Sequence, residues 1–305
     1  MVKEYFYNLY GLMVKSELEI NELVSLKNRS TSNHDVEIKI DKVPNEKLEK
    51  IPNNSWFLGE GDNFTFSIDN VANYHISKGN EIIVDSINNS PNQPVKTFLL
   101  GTSFGMLLQQ RNTVAIHGGT VIVDNKSIVI TGDQGAGKST LVNGFRHRGF
   151  GFMADDVSVT GLDENNNIVI KSAYPQQKVC KDAMIKMGYN LENFKLIDEG
   201  RQKYVVSVSK TFRREDLNLG AIFYITKDNV KEVKIEEVKG TEKLNIVINN
   251  IYRIEILRLI GMNKEYFRKC LDIAKRIPIY KITRPANGFT IDDQMKEIEK
   301  IMKKY

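Results

Sequence analysis

Residues 126–148, KSIVITGDQGAGKSTLVNGFRHR, decide how the chain folds. The apolar, β-branched run at 126–131 predicts a buried strand, and residues 138–148 predict a helix stopped by Gly149. Between them, Gly132-Asp133-Gln134-Gly135-Ala136-Gly137-Lys138-Ser139 is a complete Gly-x-x-x-x-Gly-Lys-Ser loop. Strand, glycine loop and helix are the setting a phosphate-binding loop requires. A chance glycine-rich turn is the bland alternative, and the flanking strand and helix weigh against it. Gly132, Gly135 and Gly137 let the backbone bend until successive N–H groups point inward at phosphate oxygens. The helix N-terminus adds roughly half a positive charge facing the same anion. Lys138 can reach the β- and γ-phosphates, and the Ser139 hydroxyl can ligate Mg²⁺. Positions 132–140, through Thr140, are therefore expected to hold a nucleoside triphosphate.

A short run at 151–154 predicts the next strand, and it ends on Asp155-Asp156. Carboxylates at that end, one strand on from the loop, are placed to hold Mg²⁺ or a water. Adjacent strand residues point to opposite faces, so the two acids divide the work. One would hold the metal and the other would face an acceptor hydroxyl as base. Either Asp taken alone could instead cap a turn. His117 is the other neighbour. Residues 120–123 and 127–130 are β-branched runs separated by Asp124-Asn125-Lys126, a hairpin signal. Pairing Val123 with Ser127 and counting outward sets His117 opposite Asp133. A one-residue slip moves its partner only to Gln134, so either register lays the imidazole against the loop. A lone His is more often structural, and His34, His75 and His147 are read that way. Hairpin placement favours a site role for His117.

His117-Gly118, ITGDQGAGKST (130–140), the arginine-bearing helix end and FMADDV (152–157) together resemble the catalytic core of the HPr kinase/phosphorylase family. The separations from His to loop and from Lys to acid pair match that layout. The resemblance implies a serine kinase using ATP and Mg²⁺. In it Lys138 and Ser139 handle phosphate and metal, Asp155 joins Ser139 at the metal, Asp156 accepts the proton and His117 assists. The core covers about a fifth of the chain, and the remainder departs from true HPr kinases. Their leucine-glutamate-isoleucine-arginine signature, which supplies a metal-binding Glu, is not visible after Asp156. Ala173-Tyr-Pro-Gln-Gln-Lys-Val179 stands there instead. Lys178 within it is a weaker candidate for that place near the phosphate, with a solvated loop lysine as the alternative.

That segment is similar to a divergent group of HPr-kinase-like proteins encoded with ribosomally made peptides, the lasso-peptide precursor kinases among them. LYGLMVKSE (9–17), FLLG (98–101), QQR (109–111), IYR (251–253) and KITRP (281–285) extend the likeness. It implies a peptide or small-protein substrate bearing a serine. The alternatives are an HPr-type protein serine kinase and a small-molecule phosphoryl-transfer enzyme with a PEP carboxykinase-like core. The second would need clustered Arg and Lys to clamp a dicarboxylate, and no such constellation is visible. A nucleotide-gated binding module would need neither the acids nor His117.

At 305 residues, 41% hydrophobic and 27% charged, the composition is that of an ordinary soluble protein. It suits one large or two modest domains. Two cysteines, Cys180 and Cys270, make neither a disulfide framework nor a zinc site, so a cytoplasmic setting is expected. No run approaches the ~20 apolar residues of a membrane helix, so no membrane association is expected. No export signal is evident at the N-terminus. The net charge of +5, from 43 basic and 38 acidic residues, is a weak bias. Without a basic stripe interleaved with aromatics, no nucleic-acid partner is expected. A homo-oligomer is compatible with all of this.

The fold class expected is α/β, with a phosphate-loop core like that of HPr kinases and PEP carboxykinases. Its mixed sheet follows a small β-rich domain. Residues 1–93 form that domain, with strands at 5–14, 35–40, 56–68, 73–77 and 81–84 and a turn at Lys78-Gly79-Asn80. It is a candidate for gripping peptide. Residues 88–94, NNSPNQP, read as the linker to a kinase domain at 94–305 that opens with an apolar helix at 95–110. Strands are expected at 157–160, 168–171, 204–207 and 221–225, the last two in the core. Helices are expected at 240–248, 253–259, 264–277 and 292–304. An antiparallel strand feeding the loop strand sets this core apart from doubly wound NTPases, whose parallel strands need helical crossovers.

Overall fold

The computed structural model describes residues 3–26, 33–87, 93–198 and 202–304. Two compact units divide it. One holds the residues up to Thr113 together with Glu255–Asn263, and the other holds Val114–Ile254 and the residues from Lys264 onward. The expected boundary after residue 93 therefore moves to the far end of the helix that follows it. Most of the expected linker at 88–94 lies outside the described residues.

In the first unit, β1 (Tyr5–Leu9), β2 (Leu12–Ser16), β3 (Val24–Ser25), β4 (Val36–Ile40), β5 (Phe57–Glu60), β6 (Asn63–Ile68), β7 (Ala72–Ser77) and β8 (Glu81–Ser86) make one sheet, with the single turn of α1 (Asn45–Leu48) between β4 and β5. Its order is β3-β1-β2-β4-β8-β7-β6-β5. The strand expected at 5–14 is a hairpin, because Tyr10 and Gly11 turn the chain with φ of 57° and 75°. The one expected at 56–68 breaks likewise around Gly61. Alternation buries Leu9, Val14, Ile38, Phe64, Phe66, Tyr74, Ile76 and Ile82. The apolar helix runs as α2 (Gln93–Phe98), a π-helical stretch at Leu99–Ser103 and α3 (Phe104–Gln110). It belongs with this sheet because it is tied to it. Tyr74 Oη donates to Val95 O (2.9 Å), and Gly79 N donates to Gln110 Oε1 (2.7 Å). Gln110 Nε2 donates to Ile76 O (3.2 Å). Hydrophobicity along 95–110 marked a buried helix without marking which core buries it.

The second unit opens with the hairpin of β9 (Ala115–Val123) and β10 (Lys126–Gly132). Asp124 and Asn125 have φ of 52° and 60°, the pattern of a two-residue type I′ turn. Lys126 therefore pairs with Val123, and the ladder runs to Thr131 opposite Gly118. The expected Val123–Ser127 pairing was one residue out. Asp and Asn both tolerate the left-handed conformation, which leaves Lys126 free to start the strand. His117 consequently stands level with Gly132 rather than Asp133.

After the hairpin come α4 (Lys138–His147), β11 (Gly151–Ala154), β12 (Val157–Leu162), β13 (Ile168–Lys171), β14 (Gln176–Cys180) and α5 (Lys181–Lys186). Then follow β15 (Lys195–Asp198), β16 (Lys203–Ser207), β17 (Leu217–Asp228), β18 (Lys234–Glu237) and α6 (Thr241–Asn249). The helix α7 (Ile254–Ile260) belongs almost wholly to the first unit, and α8 (Lys264–Arg276), β19 (Ile279–Pro285) and α9 (Ile291–Met302) complete the second. The main sheet is mixed, ordered β10-β9-β12-β13-β17-β19-β18, and β10 also pairs in parallel with β17. These pairings close a circuit, β10–β9–β12–β13–β17–β10. β17 sits mid-sheet as expected, whereas the run at 204–207 does not. It is β16, the middle of a separate sheet ordered β14-β16-β15. Its β-branched residues signalled a strand but could not say which sheet it joined.

Leu141, Val142 and Phe145 of α4 and Ile291, Met295, Ile298 and Met302 of α9 pack with Ile128, Ile130, Phe223 and Ile282 in one core. The 3-and-4 spacing on each helix presents one apolar stripe to the sheet. Burying a side chain of that size contributes ~1.5–3 kcal/mol. That core fixes where β10 ends and α4 begins, and so where the glycine loop lies.

Candidate active site

Parallel pairing with β17 carries β10 to Gly132, opposite Ile225. A Cβ there would lie 2.3 Å from Ile225 O, and Gly132 also holds φ 141°. No other residue satisfies both demands. The chain then turns through Asp133–Gly137, where Ala136 N donates to Asp133 O (3.1 Å). Gly137 enters α4 at φ 107°. Two strand ends brace the loop from β17 and β19. Tyr224 Oη donates to Asp133 Oδ1 (3.2 Å), and Arg284 Nε donates to Ala136 O (2.8 Å). Lys138 folds back over the turn, its Nζ donating to Gly132 O (2.7 Å) and Asp133 O (3.1 Å). Burial lowers its pKa from the usual lysine value. Gln134 is exposed on the loop crest, and Ser139 and Thr140 are half-buried on the first turn of α4.

β9 carries His117 between the loop and the acid pair. Residues 118–123 pair with β10, while 115–117 pair with β12, and His117 faces Val157. Thr131 Oγ1 lies within hydrogen-bond distance of His117 O (2.8 Å) and Asn250 Oδ1 (2.9 Å), and its single proton can go to either. His117 N donates to Asn250 O (2.7 Å). The ring stacks on Tyr252 at 5.7 Å. Burial first, then Lys138, pushes the His117 pKa below 6.5, although Asp156 pulls it up. The imidazole is neutral at pH 7 and can accept a proton.

Asp155 and Asp156 form the bend between β11 and β12. Gly118 N donates to Asp156 O (3.0 Å), which fixes the pair beside His117. Their fates differ. Asp155 Oδ2 accepts from Lys178 N (2.9 Å), while its Oδ1 is buried and has no hydrogen-bond partner among the described residues. Burial, and then the neighbouring Asp156, push the Asp155 carboxyl up to about 7. Burial would also raise Asp156, but the lysines, Lys178 and Lys203 foremost, hold it below the usual carboxylate value. Asp156 is thus the ionised member, and Asp155 is the one that wants a proton or a cation.

The structure therefore brings together Lys138, Ser139, His117, Asp155 and Asp156, and adds Lys178 from β14. It also supplies residues that sequence reading did not single out. Asn250 and Tyr252 wall His117, and Arg253 lies 5.6 Å over the Tyr252 ring with a left-handed φ of 58°. Non-glycine residues held so concentrate at functional sites. The stretches at 251–253 and 281–285 were visible as motifs, but nothing local gave Arg253 or Arg284 a task. Lys203 carried no signal at all.

No protein-family model matches the chain, and no curated protein does. Among solved structures, the chain is similar to the Hpr(Ser) kinase/phosphatase from Coxiella burnetii, at 14% identity with a TM-score of 0.33, covering 62% of this chain and 94% of that one. A likeness at that TM-score adds nothing to the chemistry, which rests on the residues themselves.

Proposed function

We propose that the protein is an ATP-dependent serine kinase that transfers the γ-phosphate to a seryl hydroxyl of a ribosomally made precursor peptide. One observation carries this reading. A single strand, β9, pairs on one edge with the strand that ends in the glycine loop and on the other with the strand that begins at the acid pair. A phosphate cradle, a neutral imidazole and an ionised carboxylate therefore meet at one end of one sheet. A nucleotide binder needs the first of these. Phosphoryl transfer to an alcohol also uses a carboxylate as base, and a neutral imidazole beside it can assist.

Mg²⁺ fits the residues present. The Ser139 hydroxyl and the orphaned Asp155 Oδ1 are oxygen donors of the kind it takes, with phosphate oxygens and waters completing its shell. When bound, it would neutralise charge on the β- and γ-phosphates. Lys138 would hold the γ-phosphate, Asp156 would orient the hydroxyl and take its proton, and His117 would assist through Asp156. A peptide acceptor is also suggested by β3 and β5, which are the end strands of the first unit's sheet among the described residues, where an extended peptide can add as a strand. HPr itself and a small-molecule acceptor are the competing substrates. Incubation with γ-labelled ATP, Mg²⁺ and peptides encoded beside the gene tests the reading. Label on peptide supports it, and label found only in released phosphate or on HPr refutes it.

A further inference from the structure

Strand β14 lies between two elements that each contribute one of the oxygens fitted to Mg²⁺, and it bonds to both through neighbouring residues. Gln177 Nε2 donates to Ser139 O (3.4 Å) on the first turn of α4. Lys178 N, the next donor along the backbone, donates to Asp155 Oδ2 (2.9 Å) at the bend between β11 and β12. That second bond occupies one carboxylate oxygen. The other, Oδ1, is buried without a hydrogen-bond partner among the described residues and is left for a cation. Ser139 and Asp155 stand on different elements, and β14 is a direct tie between them.

Gln177 is itself held. It is 0% exposed, and its Oε1 accepts from Arg146 Nε (2.9 Å). Arg146 Nη2 in turn donates to Asn143 Oδ1 and to Tyr189 Oη. Both ends of the amide are used, so it cannot rotate without losing a bond. A buried amide also costs desolvation that an apolar side chain does not. Val179, two residues on and therefore on the same face of β14, shows what packing alone uses there. It is 1% exposed in an apolar cluster with Ala183, Met184 and Val206. Gln177 supplies what packing does not, a bond with a set direction.

We propose that Gln177 is a positioning residue for the metal: held by Arg146, it fixes α4 against β14 and so sets Ser139 relative to Asp155. This rests on the Mg²⁺ fit within the kinase reading above. Residues that orient a metal's ligands without touching the metal typically change its affinity by about tenfold to a hundredfold when replaced.

Calorimetry of ADP binding to the full chain, once in EDTA and once with Mg²⁺, gives the factor by which the cation tightens nucleotide binding. Gln177→Leu removes both bonds of the amide, and Gln177→Asn is one methylene too short to make both. Each should cut that factor by about tenfold, while ADP affinity in EDTA stays within about threefold of wild type. Val179→Ala, which loosens the same strand through packing alone, should lower the thermal midpoint and leave the factor unchanged. An unchanged factor in either folded Gln177 variant overturns the assignment. So does a loss of ADP affinity in EDTA as large as the loss with Mg²⁺, or an equal cut in the factor by Val179→Ala. Wild-type protein that binds ADP equally with and without Mg²⁺ overturns the metal site and this assignment together. Wild-type protein that shows the Mg²⁺ factor but transfers nothing to any peptide overturns the kinase reading alone.

Discussion

At the scale of single residues, Lys138 and the acid pair make the most specific demands. Lys138 folds over the glycine loop, and on the kinase reading Lys138→Ala should slow transfer by about a thousandfold or more, several kcal/mol of transition-state stabilisation. Near-normal turnover would refute the phosphate-loop assignment. Asp156→Asn should abolish transfer while leaving nucleotide affinity within about tenfold, the pattern of a base rather than a binding group. Asp155 makes a separate demand through pH. Its folded pKa is raised to about 7 from an unfolded value near ~4. Its contribution to stability is thus complete below pH ~4 and is lost as pH rises through 7. In metal-free buffer the wild-type thermal midpoint should fall across that window, and Asp155→Asn should flatten the fall. Mg²⁺ with ATP should stabilise the wild type more at pH 8 than at pH 5, because the cation replaces the proton. A thermal-shift series in which Asp155→Asn behaves as wild type would remove Asp155 from the metal site.

At the scale of elements, the strand–loop–helix unit was legible because its signals are local. Glycines sit where φ is positive, β-branched residues precede them, and an amphipathic helix follows. The hairpin bearing His117 was legible too, and its one-residue register error came from treating Lys126 as turn. Gly132→Ala tests the junction of β10 and β17 directly. A methyl group 2.3 Å from Ile225 O forces the strands apart at a backbone angle alanine avoids. The cost should be about 2 kcal/mol or more in chemical denaturation, together with loss of nucleotide binding. Unchanged stability would mean the loop strand is not held as described. Arg284 braces the same loop at Ala136 O, and Arg284→Ala should raise the KM for ATP more than it lowers kcat, read from steady-state kinetics. What stayed illegible at this scale was long-range pairing. Neither the closure of β10 on β17 nor the separate sheet of β14, β15 and β16 follows from any window of sequence, because strand partners are chosen by burial across the whole unit.

At the scale of the molecule, a β-rich start and a phosphate-loop unit could be read from the sequence, but not where one ends. The helix over 93–110 looks like the entrance to the second unit and packs in the first, because Gln110 and Tyr74 tie it to β7. Residues 255–263 return to the first unit, a crossing no composition shift announces. Candidate site residues on short motifs were found, while Lys203, Tyr252 and Arg253 needed the fold to bring them in. Which acceptor the proposed kinase takes is a question for the whole molecule. Mass spectrometry of a precursor peptide encoded beside the gene, after reaction with ATP and Mg²⁺, tests the central claim most directly. The account requires one added phosphate on a serine, absent when that serine becomes alanine and absent with the Lys138→Ala protein. Unmodified precursor peptides beside efficiently phosphorylated HPr would contradict it.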